Sequence, residues 1–567
     1  MNRHKITWAL GLVLLFSLAL AACAQPATEA PAPTEVMEEP TEEPMVEPTE
    51  ELMAFEGLSI EDPACGRTFS KIAALDEHTV EFTLCNPDAA FLTKLAFSVF
   101  SIYPQEWLES TTAAGARLDA PVGTGPYKVG EWNRGESLSF VRNEDYWGTP
   151  GHADTLVFRW STESAARVLE LQAGTIDGID NPGPDDFSVI EADPNLQLIE
   201  RPALNTFYLA MTNTFEPFDD VNVRKAVAMG IDRQRIVDTF YPRGSEVASH
   251  FTPCAIPNGC QGDEWYAFDA AAARAMLADA GFPNGFSTSI FYRDVVRGYL
   301  PEVGRVAEEL QAQLKTNLNI DAEIVVMESG AFIEESTAGR LDGFYMLGWG
   351  ADYPHVTNFL DFHFGETNPQ FGVQSPTYFE VMVQAAQIAD EATAAPLYVQ
   401  ANNAIREFVP MVPVAHGGSA TAFRADVDGA HASPLTNEYF AAVDPAGRDV
   451  FVWMQNAEPI SLFCADETDG ESLRACEQVM EALYAYEVGG VAVEPALATS
   501  CEPSADLTVY TCSLREGVTF HDGSAFDAND VVVTFTAGLD TSSPLHVGNT
   551  GAWEYYDYLW GTFDAGG

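Results

Sequence analysis

The sequence predicts an α/β protein divided into more than one lobe, and two observations lead there. About 510 residues follow an acidic, proline-rich stretch that ends near Met53, whereas single cores stop growing near about 250–300 residues. Strand-like and helix-like patterns alternate along that length instead of segregating, which is the mark of mixed layers of helix and sheet.

The first element is residues 1–22. Arg3 and Lys5 precede an apolar run from Ile6 to Leu20 that closes on Ala21, Ala22 and Cys23. The run is short for a membrane span and has the three-part layout of an export signal. Leu20-Ala21-Ala22-Cys23 resembles a bacterial lipobox, in which Cys23 becomes the first mature residue, is acylated, and tethers the protein outside the cell membrane. A plain secretory cut after Ala22 is the alternative. Residues 23–53 form the second element. From Ala24 to Ala54 the chain has nine Glu, repeated Pro and Thr, and no Lys, Arg or aromatic residue. Such a segment buries too little apolar surface to fold and reads as an extended tether.

Without residues 1–22 the chain keeps 26 Lys plus Arg against 84 Asp plus Glu, a net charge of −58. That surface repels nucleic acid and anionic lipid, so nucleic-acid binding is excluded as a function class. Eight cysteines remain besides Cys23, an even number in an exported chain, which reads as four disulfides. Local spacing pairs Cys65 with Cys85, Cys254 with Cys260, Cys464 with Cys476 and Cys501 with Cys512, one of 105 arrangements that eight cysteines allow.

Further elements follow in order. HTVEFTLC at 78–85 and LTVYTC at 507–512 alternate with period two and read as strands, which two of the cysteine pairs would brace to neighbouring strands. Residues 223–237 read as a helix pair, with Asp232 capping the second helix. Residues 270–280 form a short helix stopped by Gly281. Val303, Val306, Leu310 and Leu314 recur at helical spacing, and a strand over 320–327 follows. Phe344 to Trp349 is a short apolar run ending at Gly350, a buried strand, with Asp352 just past its end. A carboxylate in that apolar setting needs a cation, because an unpaired buried charge is expensive. The ammonium of a ligand would supply one; a turn-capping role before Pro354 is the alternative.

GWGADYPHVTNFL resembles the GW-x-x-D-Y-x-D-P-x-x-F-L segment of the peptide- and nickel-type solute-binding proteins of bacterial ABC importers, with His355 where that family usually has Asp or Glu. GTGPYKVGEWNRGESLSFVRNEDYWG (123–148), YLAMTNTFEPFDDVNVRKAVAMGIDRQRIVD (208–238) and LREGVTFHDGSAFDANDVVVTF (514–535) resemble signatures of the same family. The order differs from the family's. EALYAYEVGGVAVEPALA (481–498), REGVTFHDG and WMQNAEPISL (453–462) resemble segments near the family's mature N-terminus, yet here they follow the family's C-terminal segments. The resemblance therefore implies a circular permutation, with new ends near Met53 and Gly567 and the old ends joined through 444–449.

The resemblance also implies a two-lobed, Venus-flytrap binding-protein fold with ligand enclosed between the lobes. Mapped onto this chain, the large lobe takes residues 54–244 and 419–567, the family's usual N-terminal segment being 451–567. The small lobe takes 245–418, with crossings near 244–250 and 416–424. The implied function is capture of a di- or oligopeptide and its delivery to an ABC permease by a monomeric protein on the outer face of the membrane. In the family's peptide binders the aspartate matching Asp352 pairs with the ligand's α-ammonium. Trp349, Gly350, Ala351 and Tyr353 would line the wall. Arg293 and Arg297 are the cations on offer for a ligand carboxylate, and both also fit a solvated helix start. Asn456 and Glu458 sit where the resembling segment approaches the cleft, and both also fit turn positions. Sugars, nickel chelates, haem and surface sensing stay open as alternatives. No HExxH, GxSxG, phosphate loop or Cys/His nucleophile pair is present, so neither an enzyme nor a cofactor is indicated. His416-Gly417-Gly418-Ser419 lacks a nucleophile, the Asp426-Val-Asp428-Gly429 run lacks the later Glu of a calcium loop, and no metal site is expected.

Overall fold

A computed structural model describes residues 55–564 apart from Pro63, Ala114 and Ala116. The export signal, Cys23 and the acidic tether lie outside the described residues.

Three large sheets and a two-stranded ribbon, Tyr484–Tyr486 with Val493–Pro495, organise the described residues. A five-stranded sheet runs in the order Ser59–Glu61, Phe69–Asp76, Thr79–Leu84, Val509–Leu514 and Ala498–Pro503. The Thr79–Leu84 strand buries every second residue, as its alternating sequence requires. A seven-stranded sheet places Val450–Gln455 parallel to and between Thr155–Trp160 and Gly178–Asp180. Both sheets share one aromatic-rich core, in which Phe69, Phe82, Phe91, Phe535 and Trp560 pack with ring centroids 5.0–6.2 Å apart. This is the large lobe.

The small lobe is built on a six-stranded sheet with its own core. Phe344–Gly350 lies near its centre, antiparallel to Asn205–Met211 and parallel to Ser287–Arg293, and its first five residues are buried. The helix Val303–Leu318 buries Val306, Leu310 and Leu314 completely. It stops at Asn319, whose φ of 54° is the left-handed conformation that ends helices. Asp321–Met327 then pairs in parallel with Ser287–Arg293, completing a strand–helix–strand unit. Val221–Gly230 and Arg233–Phe240 form the expected helix pair, and the Asp232 carboxylate accepts from the Arg235 N–H at 3.0 Å. Ala270–Asp279 is capped by Asp269, and Gly281 turns the chain at φ 98°.

The lobe boundary differs from the sequence expectation. Residues 205–244, expected in the large lobe, belong with the small-lobe sheet and core. Asn205–Met211 pairs over its whole length with Phe344–Gly350 and its residues 206–211 are buried. The first crossing is thus at 202–204, because a fully buried strand carries no periodic cue to which sheet it joins. The second crossing, at Gly417 and Gly418, falls inside the expected interval.

The two crossings are tied together. Asn205 donates from Nδ2 to the Gly417 carbonyl at 2.7 Å and accepts the Gly417 N–H at 2.8 Å. On the large-lobe side, Arg201 bridges Asp180 and Glu438 at 2.9 and 2.6 Å, and Arg474 bridges the same two acids at 2.9 and 2.8 Å. All four side chains are at most 3% exposed, and Arg201 also donates to Ser419 Oγ. Two cations and two anions close a neutral ring beneath the hinge. The four spaced cysteine pairs all form disulfides, and Cys501 and Cys512 are direct partners in the strand register.

Candidate functional site

The strand Phe344–Gly350 delivers Asp352 to the junction of the lobes, where the helix Val356–Phe364 begins. His355 caps that helix, its Nδ1 accepting the Thr357 N–H at 3.3 Å. Accepting requires a neutral ring, and burial does pull the His355 pKa down to about 4. The imidazole thus performs the capping that a carboxylate would otherwise perform, without adding charge beside Asp352.

Asn358, in the first turn, organises the site. Its Oδ1 accepts from Trp349 Nε1 at 3.0 Å and from the Asp352 N–H at 3.1 Å, while Nδ2 donates to Asp352 Oδ2 at 2.9 Å. From the large lobe, the Tyr555 hydroxyl donates to Asp352 Oδ1 at 2.6 Å. Both contacts are neutral, and among the described residues no Lys or Arg forms an ion pair with Asp352. Burial pushes its pKa up to about 6, with the two hydrogen bonds pulling partly the other way.

Aromatic rings form the wall. Trp349 stacks on Phe362 at 4.6 Å, and Tyr558 meets the edge of Phe362 at 5.0 Å. Tyr353 is buried against the large-lobe core, with Lys94 Nζ 5.7 Å from its ring centre. Ala351 anchors the loop through its N–H to the Leu204 carbonyl at 2.8 Å, in the first crossing. A side-chain carbon added at Gly350 would meet nothing within 4 Å, so that backbone borders open space.

Trp349, Gly350, Ala351, Asp352 and Tyr353 are therefore brought together, whereas other expected residues are not. Arg293 donates to Ser329 Oγ at 3.0 Å within the small lobe. Glu458 accepts from Trp132 Nε1 at 3.0 Å and from the Gly135 N–H, which commits it to a large-lobe hairpin. Asn456 makes no side-chain hydrogen bond among the described residues. Arg297 is exposed and pulls weakly against the burial that pushes the pKa of Glu471, a large-lobe residue, up to about 7. The sequence reading missed Asn358, Phe362, Tyr555 and Tyr558. Asn358 and Phe362 stand at i and i+4 on a helix that opens at His355, an uncommon cap and so a weak cue; the tyrosines are distant in sequence and give none.

His250, Cys254 and Cys260 have ligating atoms within 4.8 Å of one another, but both sulfurs are spent in a disulfide. A hollow of about 580 Å³ beside Gln311, Lys315 and Glu323 lies on the outer edge of the small-lobe sheet, away from Asp352.

The family model for bacterial extracellular solute-binding proteins, family 5 Middle, matches residues 45–371 and 492–552. The chain belongs to this family. A dipeptide-binding protein of Pseudomonas aeruginosa is 30% identical to this family 5 protein over 393 residues, 67% of this chain and 73% of its own. Heme-binding protein A of Haemophilus influenzae is 29% identical over 384 residues, 66% and 70% of the two chains. Among solved structures, the dipeptide-binding protein from Pseudoalteromonas sp. SM9913 in complex with Met-Leu superposes with a TM-score of 0.60 at 27% identity, covering 66% of this chain and 75% of its own. The mixed α/β sheets and two lobes described above are the binding-protein fold of this family.

Proposed function

We propose that this family 5 protein captures a short peptide between its lobes and hands it to a membrane ABC permease, with no catalytic step. The observation that carries the reading is Asp352: a carboxylate enclosed where the lobes meet, gripped among the described residues only by neutral donors and facing aromatic rings. A ligand ammonium supplies the missing positive charge, and lobe closure removes water and strengthens that pairing. The backbone at Gly350 borders open space, where an extended peptide pairs as an added strand does. Arg297, exposed on the small lobe, takes the ligand carboxylate in this reading. Acylation at Cys23 and the tether over 23–53 hold the protein at the outer membrane face.

We also infer a circular permutation. Its support is Val450–Gln455 lying inside the seven-stranded sheet between two strands from the first half of the chain, and 498–514 completing the sheet begun at 59–84. A rearranged gene in which 451–564 precedes 55–443 is expected to yield a folded protein with the same ligand affinity.

The functional test is thermal unfolding with di-, tri- and oligopeptide pools, with haem and sugars as alternatives, repeated with Asp352→Asn. A ligand at a hundred times its Kd adds about 2.7 kcal/mol. Stabilisation by peptides that Asp352→Asn abolishes supports peptide capture. Stabilisation by haem or a sugar alone overturns the peptide reading while leaving solute binding intact.

A further inference from the structure

The Cys254–Cys260 disulfide of the small lobe has an imidazole against it. One ring nitrogen of His250 and the two sulfurs lie within 4.8 Å of one another. The Ser249 hydroxyl reaches all three groups, 3.0 Å from His250 Nδ1 and 3.6 and 3.7 Å from the sulfurs of Cys254 and Cys260. His250 is buried, at 6% exposure, whereas Cys254 is open to solvent. The disulfides Cys464–Cys476 and Cys501–Cys512 differ in this respect, since all four of their cysteines are buried in the large-lobe core.

The loop that carries the group is anchored without the disulfide. Phe251 is 2% exposed and packs with ring centroids 4.8 Å from His363 and 4.9 Å from Phe364, on the helix that holds Asn358. Between the two cysteines, Ile256 is buried and Asn258 Nδ2 donates to the Glu391 carbonyl at 3.1 Å. On the flanks, the Ser249 carbonyl accepts the Trp265 N–H at 2.8 Å and the Gln261 carbonyl accepts from Asn402 Nδ2 at 2.9 Å. Opening the S–S bond therefore leaves two thiols and an imidazole side by side. Those are zinc donors, with Zn–S near about 2.3 Å and Zn–N near about 2.0 Å, and tetrahedral ligation sets them roughly 3.5–3.8 Å apart. Rotation of one cysteine side chain brings the sulfurs to that separation.

We propose that the disulfide is the oxidised form of a redox-gated metal site, in which Cys254, Cys260 and His250 bind a zinc-class divalent cation once a dithiol has reduced the sulfurs. A thiolate of the dithiol attacks the exposed Cys254 sulfur, the S–S bond breaks and Cys260 leaves as thiolate. The second thiol of the reductant then resolves the mixed disulfide. The reductant departs as a disulfide, having given two electrons and two protons to the cysteines. The cation binds both sulfurs, releasing their protons to solvent, and takes the lone pair of the neutral imidazole. Ser249 or water fills the fourth position. The site is separate from Asp352 and does not depend on the peptide reading.

Cobalt, which replaces zinc and has a visible spectrum, tests it. The purified protein is reduced on a dithiol resin under nitrogen, freed of resin and titrated with Co²⁺. Reduced wild type is expected to bind cobalt with a thiolate-to-metal charge-transfer band and the visible bands of tetrahedral cobalt, both lost on adding Zn²⁺. Oxidised wild type is expected to show neither band. The double variant Cys254→Ser, Cys260→Ser is expected to lose the charge-transfer band after the same reduction, although Cys65 and Cys85 remain. His250→Gln is expected to keep that band and bind about tenfold or more weakly. Circular dichroism of the reduced, metal-free protein is expected to match that of the oxidised protein. Reduced wild type without the bands, a charge-transfer band that persists in the double variant, unchanged affinity in His250→Gln, or loss of the native fold on reduction overturns the proposal.

Discussion

Asp352→Asn is expected to abolish peptide binding and yet stabilise the ligand-free protein. Burial raises the Asp352 pKa from 3.8 to about 6. Each pKa unit corresponds to about 1.36 kcal/mol, so the ionised carboxylate costs the folded state up to about 3 kcal/mol at neutral pH. Part of that is offset in the variant. The amide still accepts from Tyr555, but more weakly than a carboxylate, and its NH₂ meets the Asn358 Nδ2 donor unless Asn358 turns over. A net gain of about 1–2 kcal/mol remains after these losses. The sign in pH follows from linkage. The folded pKa lies above the unfolded one, so the wild-type stability associated with the neutral acid is fully present below about pH 4 and is lost as pH rises through about 6. The variant lacks this loss. Urea unfolding followed by tryptophan fluorescence is expected to show Asp352→Asn more stable at pH 7.5, with the difference vanishing towards pH 4. An Asn variant no more stable than wild type at pH 7.5, or a difference that does not shrink on acidification, refutes the argument that Asp352 is an uncompensated charge.

Three further outcomes are expected. Glu438→Gln opens the buried ring and leaves Arg201 and Arg474 partly unpaired, a loss of about 3–5 kcal/mol by urea unfolding, similar in 0.1 and 1 M salt because the ring excludes solvent. Asn205→Ala removes two hydrogen bonds to Gly417, about 1–3 kcal/mol, and is expected to loosen the hinge, read as a larger radius of gyration by small-angle scattering with ligand bound. Gly350→Val is expected to leave the melting temperature of the free protein nearly unchanged while weakening peptide binding, since its side chain enters space that is empty of protein.

The elements most legible in the sequence were those whose cues are local. Asp232 announces a helix start, Gly281 a stop, and the Phe344–Gly350 run a buried strand. Asp352 itself stands out as one acid just past an apolar run, with a turn-capping role before Pro354 as its plain alternative. Its grip was less legible. Asn358 is six residues away on a helix whose start signal, His355, is not a common cap, and Tyr555 is 203 residues away in the other lobe. Arg293 illustrates the reverse error: a cation at a strand end looks available until Ser329 is seen beside it. The first crossing was misplaced for a related reason, since Asn205–Met211 could sit in either sheet by pattern, and only pairing with Phe344–Gly350 decides which.

The neutral ring of Arg201, Asp180, Arg474 and Glu438 separates two electrostatic regimes within one molecule. The surface carries a large excess of acidic groups whose mutual repulsion falls as salt shortens the screening length, about 8 Å at 0.15 M and 3 Å at 1 M. The ring sits out of reach of that screening, at most 3% exposed, and its charges cancel. Brine therefore relaxes the exterior and leaves the pivot unaltered. The large-lobe anchor of the crossings is thereby held by contacts that dilute and saline water treat alike.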